Sequence, residues 1–216
     1  MKPIKLPAGL KLLRMIPFPR KLGILSRLYG KALAHQGICW VTASNGVTWR
    51  LDLGDQTNRW IVFGDYEGAA QMAWIRRWLR AGGVVVDSGA NIGQMTLYLG
   101  PMSGVRVVAF EPFPLAADWL EECLAGYPDW KVSLNRLGLS DAAARLTLRV
   151  AGSSSPERTD WSAGQDLPEI EIEVTTLDSF AAQNSIPSIR LWKLDVEGHE
   201  LAALMGARGL LETRRI

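Results

Sequence analysis

Apolar runs alternate with helix-compatible segments along the chain after residue 83. The runs at 84–87 and 105–110 are nearly continuous and rich in β-branched residues, as strands buried in a parallel sheet are. We predict four strands of one sheet, at 84–87, 105–110, 131–137 and 189–196. The spacing of apolar residues after the first, second and fourth of these strands predicts helices near 93–99, 115–124 and 198–205. Strands that alternate with helices predict an α/β fold with a parallel sheet and right-handed crossovers.

Before residue 84 the pattern changes. Leucines recur at helical spacing between residues 22 and 33, which predicts a basic amphipathic helix. Apolar runs on either side of Ser44-Asn45-Gly46 predict a hairpin with strands at 38–42 and 47–53. The short run at 59–63 is interpreted as a further strand, and 72–79 as a helix. We expect a segment at 1–37 and one larger domain over 38–216.

Between the third and fourth sheet strands the pattern is less regular. Residues 138–141 are interpreted as a turn, and 146–150 and 170–175 as further strands. Residues 151–168 are rich in Ser, Gly and Pro and are interpreted as a loop. Asp178 is predicted to cap a short helix that ends near residue 183.

Charge is unevenly placed although the net charge is only +2. No acid precedes Asp52, and eight basic residues lie within the first 31. This predicts peripheral contact of residues 1–36 with an anionic surface such as lipid headgroups. The alternatives are a solvated, flexible N-terminus and, for the helix, a cover packed on the domain. No apolar run has membrane-spanning length and no signal peptide is evident, so we expect a cytoplasmic protein. No ordered basic and aromatic pattern indicates nucleic acid.

The stretch 84–93 carries the candidate cofactor turn. Asp87 closes the strand, and Gly89 and Gly93 turn the chain toward a helix. An acid ahead of the glycines would repel a pyrophosphate but attract the amino or sulfonium group of S-adenosylmethionine, which disfavours a nicotinamide dinucleotide. Glu111 ends the next strand, where a carboxylate can bind both ribose hydroxyls. The alternative is that Glu111 only caps the following helix.

An ordered set of motifs resembles the FkbM family of S-adenosylmethionine-dependent methyltransferases. The motifs are Asp87-Ser-Gly-Ala-Asn-Ile-Gly, Ala109-Phe-Glu-Pro, Leu139-Ser-Asp, Thr176-Leu-Asp and Lys193-Leu-Asp-Val-Glu-Gly-His-Glu. Ser88 and His199 depart from the family pattern. The resemblance implies a Rossmann-like class I methyltransferase sheet. Because the chain stops where a further strand should begin, we expect this sheet to lack its C-terminal strands, with an N-terminal helical and β extension.

The resemblance also implies a cofactor site for S-adenosylmethionine. Its predicted members are Glu67, Asp87, Gly89, Asn91, Gly93, Thr96, Glu111, Ser140 and Asp141. Ser140 or Asp141 would contact the adenine, with a plain turn as the alternative. Thr96 would either bond within its own helix or touch the methionine end of the cofactor.

The predicted catalytic residues are Asp195, Glu197 and His199, at the carboxyl end of the fourth strand. Asp195 is the preferred general base for a hydroxyl acceptor, and Glu197 acts as the base or orients it. His199 has a suitable ordinary pKa, the alternative being a surface or capping role. Glu200 is interpreted as stabilising the helix dipole. Acids this close together could hold Mg²⁺, but we predict no metal site.

The predicted function is methyl transfer from S-adenosylmethionine to a hydroxyl of a sugar, a polysaccharide or a glycosylated natural product. The alternatives are a catalytically idle cofactor-binding or interaction module and, less favoured, a nicotinamide-dependent oxidoreductase. The expected acceptor is a small molecule or a glycan, and no sequence motif identifies it further. Trp161 in the loop 151–168 could stack on a sugar face or simply pin the loop.

Overall fold

The computed structural model describes residues 2–64, 69–150, 156–157 and 169–216. The chain divides into two compact units, Met1–Trp78 with Glu122–Pro128, and Leu79–Glu121 with Asp129–Ile216. Glu67 and Trp161 lie outside the described residues, as does the predicted loop at 151–168 apart from residues 156–157. The predicted boundary at residue 37 stays a prediction.

The elements before residue 79 are a set of short helices and one hairpin. They are α1 (Ala8–Leu13), α2 (Lys21–Ala34), β1 (Ile38–Thr42), β2 (Thr48–Asp52), α3 (Gln56–Phe63) and α4 (Ala69–Trp78). Strands β1 and β2 pair antiparallel, with Ile38 opposite Asp52 and Thr42 opposite Thr48. The predicted hairpin, the amphipathic helix and the helix over 72–79 are all confirmed.

The prediction of a strand at 59–63 is wrong, because these residues form the second half of α3. Asp55 caps this helix, and its side chain accepts a hydrogen bond from the Asn58 backbone N–H at 2.9 Å. Ile61, Val62 and Phe63 are fully buried. In a short run where every residue is apolar, the spacing of apolar and polar positions cannot distinguish a strand from a helix.

The elements from residue 79 onward build two sheets. After a single 3₁₀ turn (Leu79–Ala81) they are β3 (Gly83–Ser88), α5 (Gln94–Leu99), β4 (Val105–Phe110), α6 (Pro114–Leu124), β5 (Val132–Asn135), β6 (Gly138–Leu139), β7 (Ala144–Val150), β8 (Pro156–Glu157), β9 (Glu169–Thr175), α7 (Leu177–Gln183), β10 (Leu191–Leu194), α8 (Glu200–Met205) and α9 (Arg208–Glu212). The first sheet is parallel, in the order β10-β3-β4-β5. The predicted α/β fold with four parallel strands is confirmed, and β10 lies at one edge of this sheet.

The second sheet has the order β6-β9-β7-β8. Strands β7 and β9 pair antiparallel along their length, whereas β6 pairs parallel with β9. Two corrections follow. The predicted turn at 138–141 begins with a two-residue strand, in which Gly138 and Leu139 pair with Val174 and Thr175. The predicted loop at 151–168 contains the two residues of β8, which pair with the end of β7.

A buried apolar cluster supports one side of the parallel sheet. Phe110 at the end of β4 packs edge to face on Phe180 of α7, with ring centroids 4.7 Å apart. Val86, Leu177 and Leu210 are buried in the same cluster. This packing holds the carboxyl ends of the central strands against α7 and α9.

Asp178 does not cap its own helix, which corrects the prediction. Thr176 caps α7, since its hydroxyl oxygen accepts from the Ser179 N–H at 3.1 Å. The Asp178 carboxylate instead accepts from the backbone N–H groups of Gly209 at 2.7 Å and Leu210 at 2.9 Å. It therefore ties α7 to the first turn of α9.

We expect Asp178→Ala to lower the free energy of unfolding by about 1–2 kcal/mol, because two helix-terminal N–H groups lose their acceptor. Urea denaturation followed by circular dichroism measures this change. The matched control is Asp129→Ala, which removes an exposed acid and should leave the midpoint nearly unchanged. Equal midpoints for the two variants would contradict the bridging role of Asp178.

Candidate functional site

The candidate site lies at the carboxyl ends of the parallel strands. In the register of the sheet, Asp87 of β3 stands between Ala109 of β4 and Lys193 of β10. Glu111 follows β4 directly, and Asp195 follows β10. Ligands of open parallel sheets bind at this edge, so the acids predicted from sequence gather where a ligand would sit.

Asp87 is fully buried and anchors the helix that follows the turn. Its Oδ2 accepts from the Thr96 hydroxyl at 2.6 Å and from the Thr96 backbone N–H at 3.1 Å. Its Oδ1 has no hydrogen-bond partner among the described residues, and lies 3.5 Å from Nζ of Lys193. The buried carboxylate thus has a cation of the protein beside it. The Thr96 hydroxyl bonds to Asp87 and not within its own helix, and its contact with the cofactor stays a prediction.

Lys193 is a residue to which the sequence analysis gives no role. Its ammonium group donates to the Gly89 carbonyl at 2.7 Å and to the Ser88 carbonyl at 3.4 Å. It also lies 3.4 Å from Oδ2 of Asp195. Lys193 therefore links the two acids and fastens the glycine turn to β10. The sequence does contain a signal for Lys193. It lies near the end of a strand that is predicted to be buried, where a cation needs a partner.

The glycines of the turn are required by the protein's own packing. Gly89 and Gly93 have φ angles of +69° and +95°, a backbone conformation that residues with a side chain rarely adopt. A Cβ atom on Gly89 would lie 1.9 Å from the Asp195 carbonyl oxygen, and one on Gly93 would lie 2.5 Å from a methyl of Leu120. The tip of β10 therefore approaches Gly89 too closely for a side chain, and the role predicted for Gly89 at the cofactor stays a prediction.

Glu111 is buried and both of its carboxylate oxygens accept backbone hydrogen bonds. Oε2 accepts from the Asn91 N–H at 2.6 Å, and Oε1 accepts from the Phe113 N–H at 2.8 Å. Burial raises the pKa of Glu111 to about 7, with a smaller contribution from Asp87, while the two N–H groups and Lys193 oppose the shift. The alternative that Glu111 holds the chain entering α6 is seen here, and its ribose role stays a prediction.

This pKa predicts a pH-dependent affinity for an adenosyl cofactor. A ribose hydroxyl donates to an ionised carboxylate, so affinity should rise roughly tenfold between about pH 6 and about pH 8 as Glu111 loses its proton. The contribution of Glu111 to folding stability runs the opposite way. It is fully present below the ordinary pKa of 4.5 and is lost as the pH rises through about 7.

Calorimetric titration with S-adenosylhomocysteine across this pH range measures the affinity. The Glu111→Gln variant keeps the side-chain size but cannot ionise, so its weaker affinity should be flat over the same range. A wild-type profile equally flat would contradict the ribose role.

Ser140, Asp141 and His199 form one hydrogen-bonded cluster. The buried Ser140 hydroxyl lies 3.1 Å from Oδ1 of Asp141 and 2.9 Å from Nε2 of His199. A hydroxyl that donates to the acid leaves its oxygen to accept from an Nε2–H imidazole. The structure therefore joins His199, predicted to be catalytic, to the two residues predicted to contact the adenine.

The three acids after β10 have separate surroundings. The side chain of Asp195 is 63% exposed and faces Lys193. Glu197 is exposed and has a left-handed backbone, with φ of +50°. Glu200 accepts from the N–H groups of Val196 at 3.2 Å and Gly198 at 3.0 Å, so it holds the turn before α8. Within the described ranges, no three His, Cys, Asp or Glu side chains form a metal-binding group.

Ser88, which departs from the family pattern, has a partner on the neighbouring strand. It is fully buried, and its hydroxyl accepts a hydrogen bond from the indole N–H of Trp192 at 2.8 Å. A buried hydroxyl without a partner would cost stability. Trp192 therefore accommodates the serine at the tip of β3.

Comparison with known sequences finds one family and two curated relatives. The family profile described as "Methyltransferase FkbM domain" matches residues 87–216. The "31-O-demethyl-FK506 methyltransferase FkbM" of Streptomyces tacrolimicus is 35% identical over 158 residues, which are 59% of this chain and 60% of that protein. "Methyltransferase 1" of Beauveria bassiana is 29% identical over 144 residues, 56% and 57% of the two chains. The chain thus spans less than two thirds of each relative.

Two solved structures show a weaker similarity. One is TYW2 of Pyrococcus horikoshii in complex with MeSAdo, at a TM-score of 0.35 and 18% identity over 57% of this chain and 52% of that one. The other is a putative transferase of the same organism, at a TM-score of 0.36 and 18% identity over 56% and 48%.

Proposed function

Because the chain belongs to the FkbM methyltransferase domain family, we propose that it transfers a methyl group from S-adenosylmethionine to a hydroxyl of a small molecule or glycan. The family predicted from the motifs is confirmed, and with it the S-adenosylmethionine-dependent class of the domain. One observation carries the proposal: the buried Asp87 precedes a glycine turn at the carboxyl end of a central parallel strand.

The residues at this edge suit an adenosyl cofactor in their chemistry. When bound, S-adenosylmethionine supplies a methyl group on a positively charged sulfur, a good leaving group. Glu111 would bind the ribose, and Ser140 with Asp141 would bind the adenine. Asp87 and Asn91 would lie toward the methionine end. Oδ1 of Asp87 is buried and has no hydrogen-bond donor among the residues that the structure describes, which supports a cationic group there, next to Lys193.

Asp195 is the base that we propose for the acceptor hydroxyl. Its carboxylate is exposed and can therefore reach a bound acceptor, while Lys193 at 3.4 Å fixes its position. The acceptor hydroxyl would give its proton to Asp195 as its oxygen takes up the methyl group, and the bond from the methyl carbon to sulfur would break with its electron pair left on a neutral thioether. Glu197 and His199 are the further candidates, and the hydrogen bond of His199 to Ser140 favours a positioning role for the imidazole.

The acceptor class rests on the relatives. The name of the Streptomyces tacrolimicus relative denotes methylation of an oxygen of a demethylated natural product. This name supports a hydroxyl acceptor. The resemblance to the family is what suggests a sugar, a polysaccharide or a glycosylated natural product as its carrier.

A direct assay tests the proposal. Purified full chain is incubated with S-adenosylmethionine labelled on the methyl group and a panel of sugars, glycosides and hydroxylated macrolides. We expect label in the oxygen-methylated product of at least one acceptor class, lost in Asp195→Asn. Cofactor binding with no transfer to any hydroxyl would overturn the proposal in favour of an idle cofactor-binding module.

A further inference from the structure

The outward face of α2 carries an apolar and basic stripe. Ile24, Arg27, Leu28 and Lys31 recur at helical spacing and are all exposed, Ile24 at 43% and Leu28 at 61%. The opposite face is the one that packs inward, with Leu25 and other residues buried. The helix therefore has a packed apolar face and, in addition, a second apolar stripe toward solvent.

Helix α1 and the turn after it also carry exposed apolar side chains. Leu12 and Met15 are 65% and 62% exposed. The two helices are joined, because the ammonium of Lys21 in α2 donates to the Arg14 carbonyl at 2.6 Å. Exposed apolar side chains on two joined helices exceed the scattered single residues that a protein surface normally shows.

The charge of this region indicates which kind of partner the surface binds. The first 51 residues contain no acid, and Lys11, Arg27 and Lys31 are exposed among the apolar side chains. Helices that lie in a bilayer interface combine large apolar side chains with Lys and Arg, which attract anionic headgroups.

We propose that α1 and α2 form a docking surface for an anionic lipid bilayer, with Leu12, Met15, Ile24 and Leu28 entering the headgroup layer. Arg27 and Lys31 pair with lipid phosphates. In the described part of the chain, no helix is long and apolar enough to cross a membrane. Docking at the surface needs only an apolar stripe with basic residues beside it, and it is independent of the proposed methyl transfer.

Vesicle sedimentation with the full chain tests this surface. We expect the protein to pellet with mixed phosphatidylglycerol and phosphatidylcholine vesicles, to bind phosphatidylcholine alone far more weakly, and to be released by high salt. Arg27→Gln with Lys31→Gln should weaken binding on the order of 30-fold, since each basic residue near an anionic leaflet contributes roughly fivefold. Ile24→Ser with Leu28→Ser should weaken binding by at least about tenfold.

Matched controls come from elsewhere in the chain. Lys131→Gln with Arg208→Gln removes the same charge from other exposed positions. Leu201→Ser with Met205→Ser removes equally exposed apolar side chains, at 72% and 58%, from α8. Both controls should bind like wild type, and circular dichroism melting of all variants should match. Wild-type binding by the α2 variants, or no pelleting of the wild type, would overturn the proposal. Concentration-dependent dimerisation lost in Leu28→Ser without vesicle binding would assign the surface to a second copy instead.

Discussion

Replacing Asp87 by Asn is expected to weaken binding of S-adenosylmethionine by at least about 100-fold. Asparagine keeps the size of the side chain and an oxygen that accepts from Thr96. It removes the charge that faces Lys193 at 3.5 Å and that we propose faces the cofactor. Lys193 keeps its ion pair to Asp195 and its hydrogen bond to the Gly89 carbonyl, so the effect on cofactor binding comes from the lost charge of Asp87.

Titration calorimetry of the folded variant measures this loss. Thr96→Val is the matched control, because it removes the hydroxyl 2.6 Å from the same carboxylate but leaves the charge of Asp87. We expect its affinity to fall by less than about tenfold. A cofactor affinity of Asp87→Asn within a few-fold of wild type, with an unchanged melting profile, would show that Asp87 serves folding alone.

The second large effect is expected at Asp195. Asp195→Asn should lower kcat for transfer to an accepted hydroxyl by about 100-fold or more, since a positioned general base contributes 10²–10⁴-fold. The dissociation constant for S-adenosylmethionine should change by less than about threefold, because the exposed side chain of Asp195 pairs with Lys193, a residue that is not assigned to cofactor binding.

Steady-state kinetics with calorimetry separates these two quantities. Glu197→Gln is the comparison variant, as the exposed acid two residues further along. If Asp195→Asn keeps its rate while Glu197→Gln loses it, the base is Glu197. If Asp195→Asn lowers affinity for the cofactor as much as it lowers kcat, its role is in binding.

The two central strands of the sheet could be predicted because they are nearly continuous apolar runs and are largely buried. Residues 105–110 form β4 with the predicted bounds, and the apolar β-branched run before Asp87 forms β3. A strand covered on both faces needs apolar residues at nearly every position, and that signal is local. The amphipathic helix α2 could be predicted equally well, since its buried positions repeat at helical spacing.

The errors come from elements that depend on distant partners. Residues 59–63 belong to a helix that Asp55 caps, and the apolar residues Ile61, Val62 and Phe63 in this run are buried. The number of apolar residues in the run does not reveal which structure buries them. Asp178 binds N–H groups 31 and 32 residues further along. Strand β6 is two residues long and exists only because β9 pairs with it.

Within the candidate site, the sequence identified the acids but not their partners. Asp87 and Glu111 could be placed because each directly ends or follows a predicted strand. The ion pair to Lys193 depends on the order of strands, which brings β10 beside β3. Ser140 and His199 are 59 residues apart, so no local pattern could predict their hydrogen bond.

Calorimetric titration of the full chain with S-adenosylmethionine and, in parallel, with NAD tests the central claim most directly. A carboxylate ahead of the glycine turn and a second one after the next strand favour a cationic adenosyl cofactor over a pyrophosphate. We therefore expect S-adenosylmethionine to bind with the clearly lower Kd. Tighter binding of NAD would contradict the proposed function.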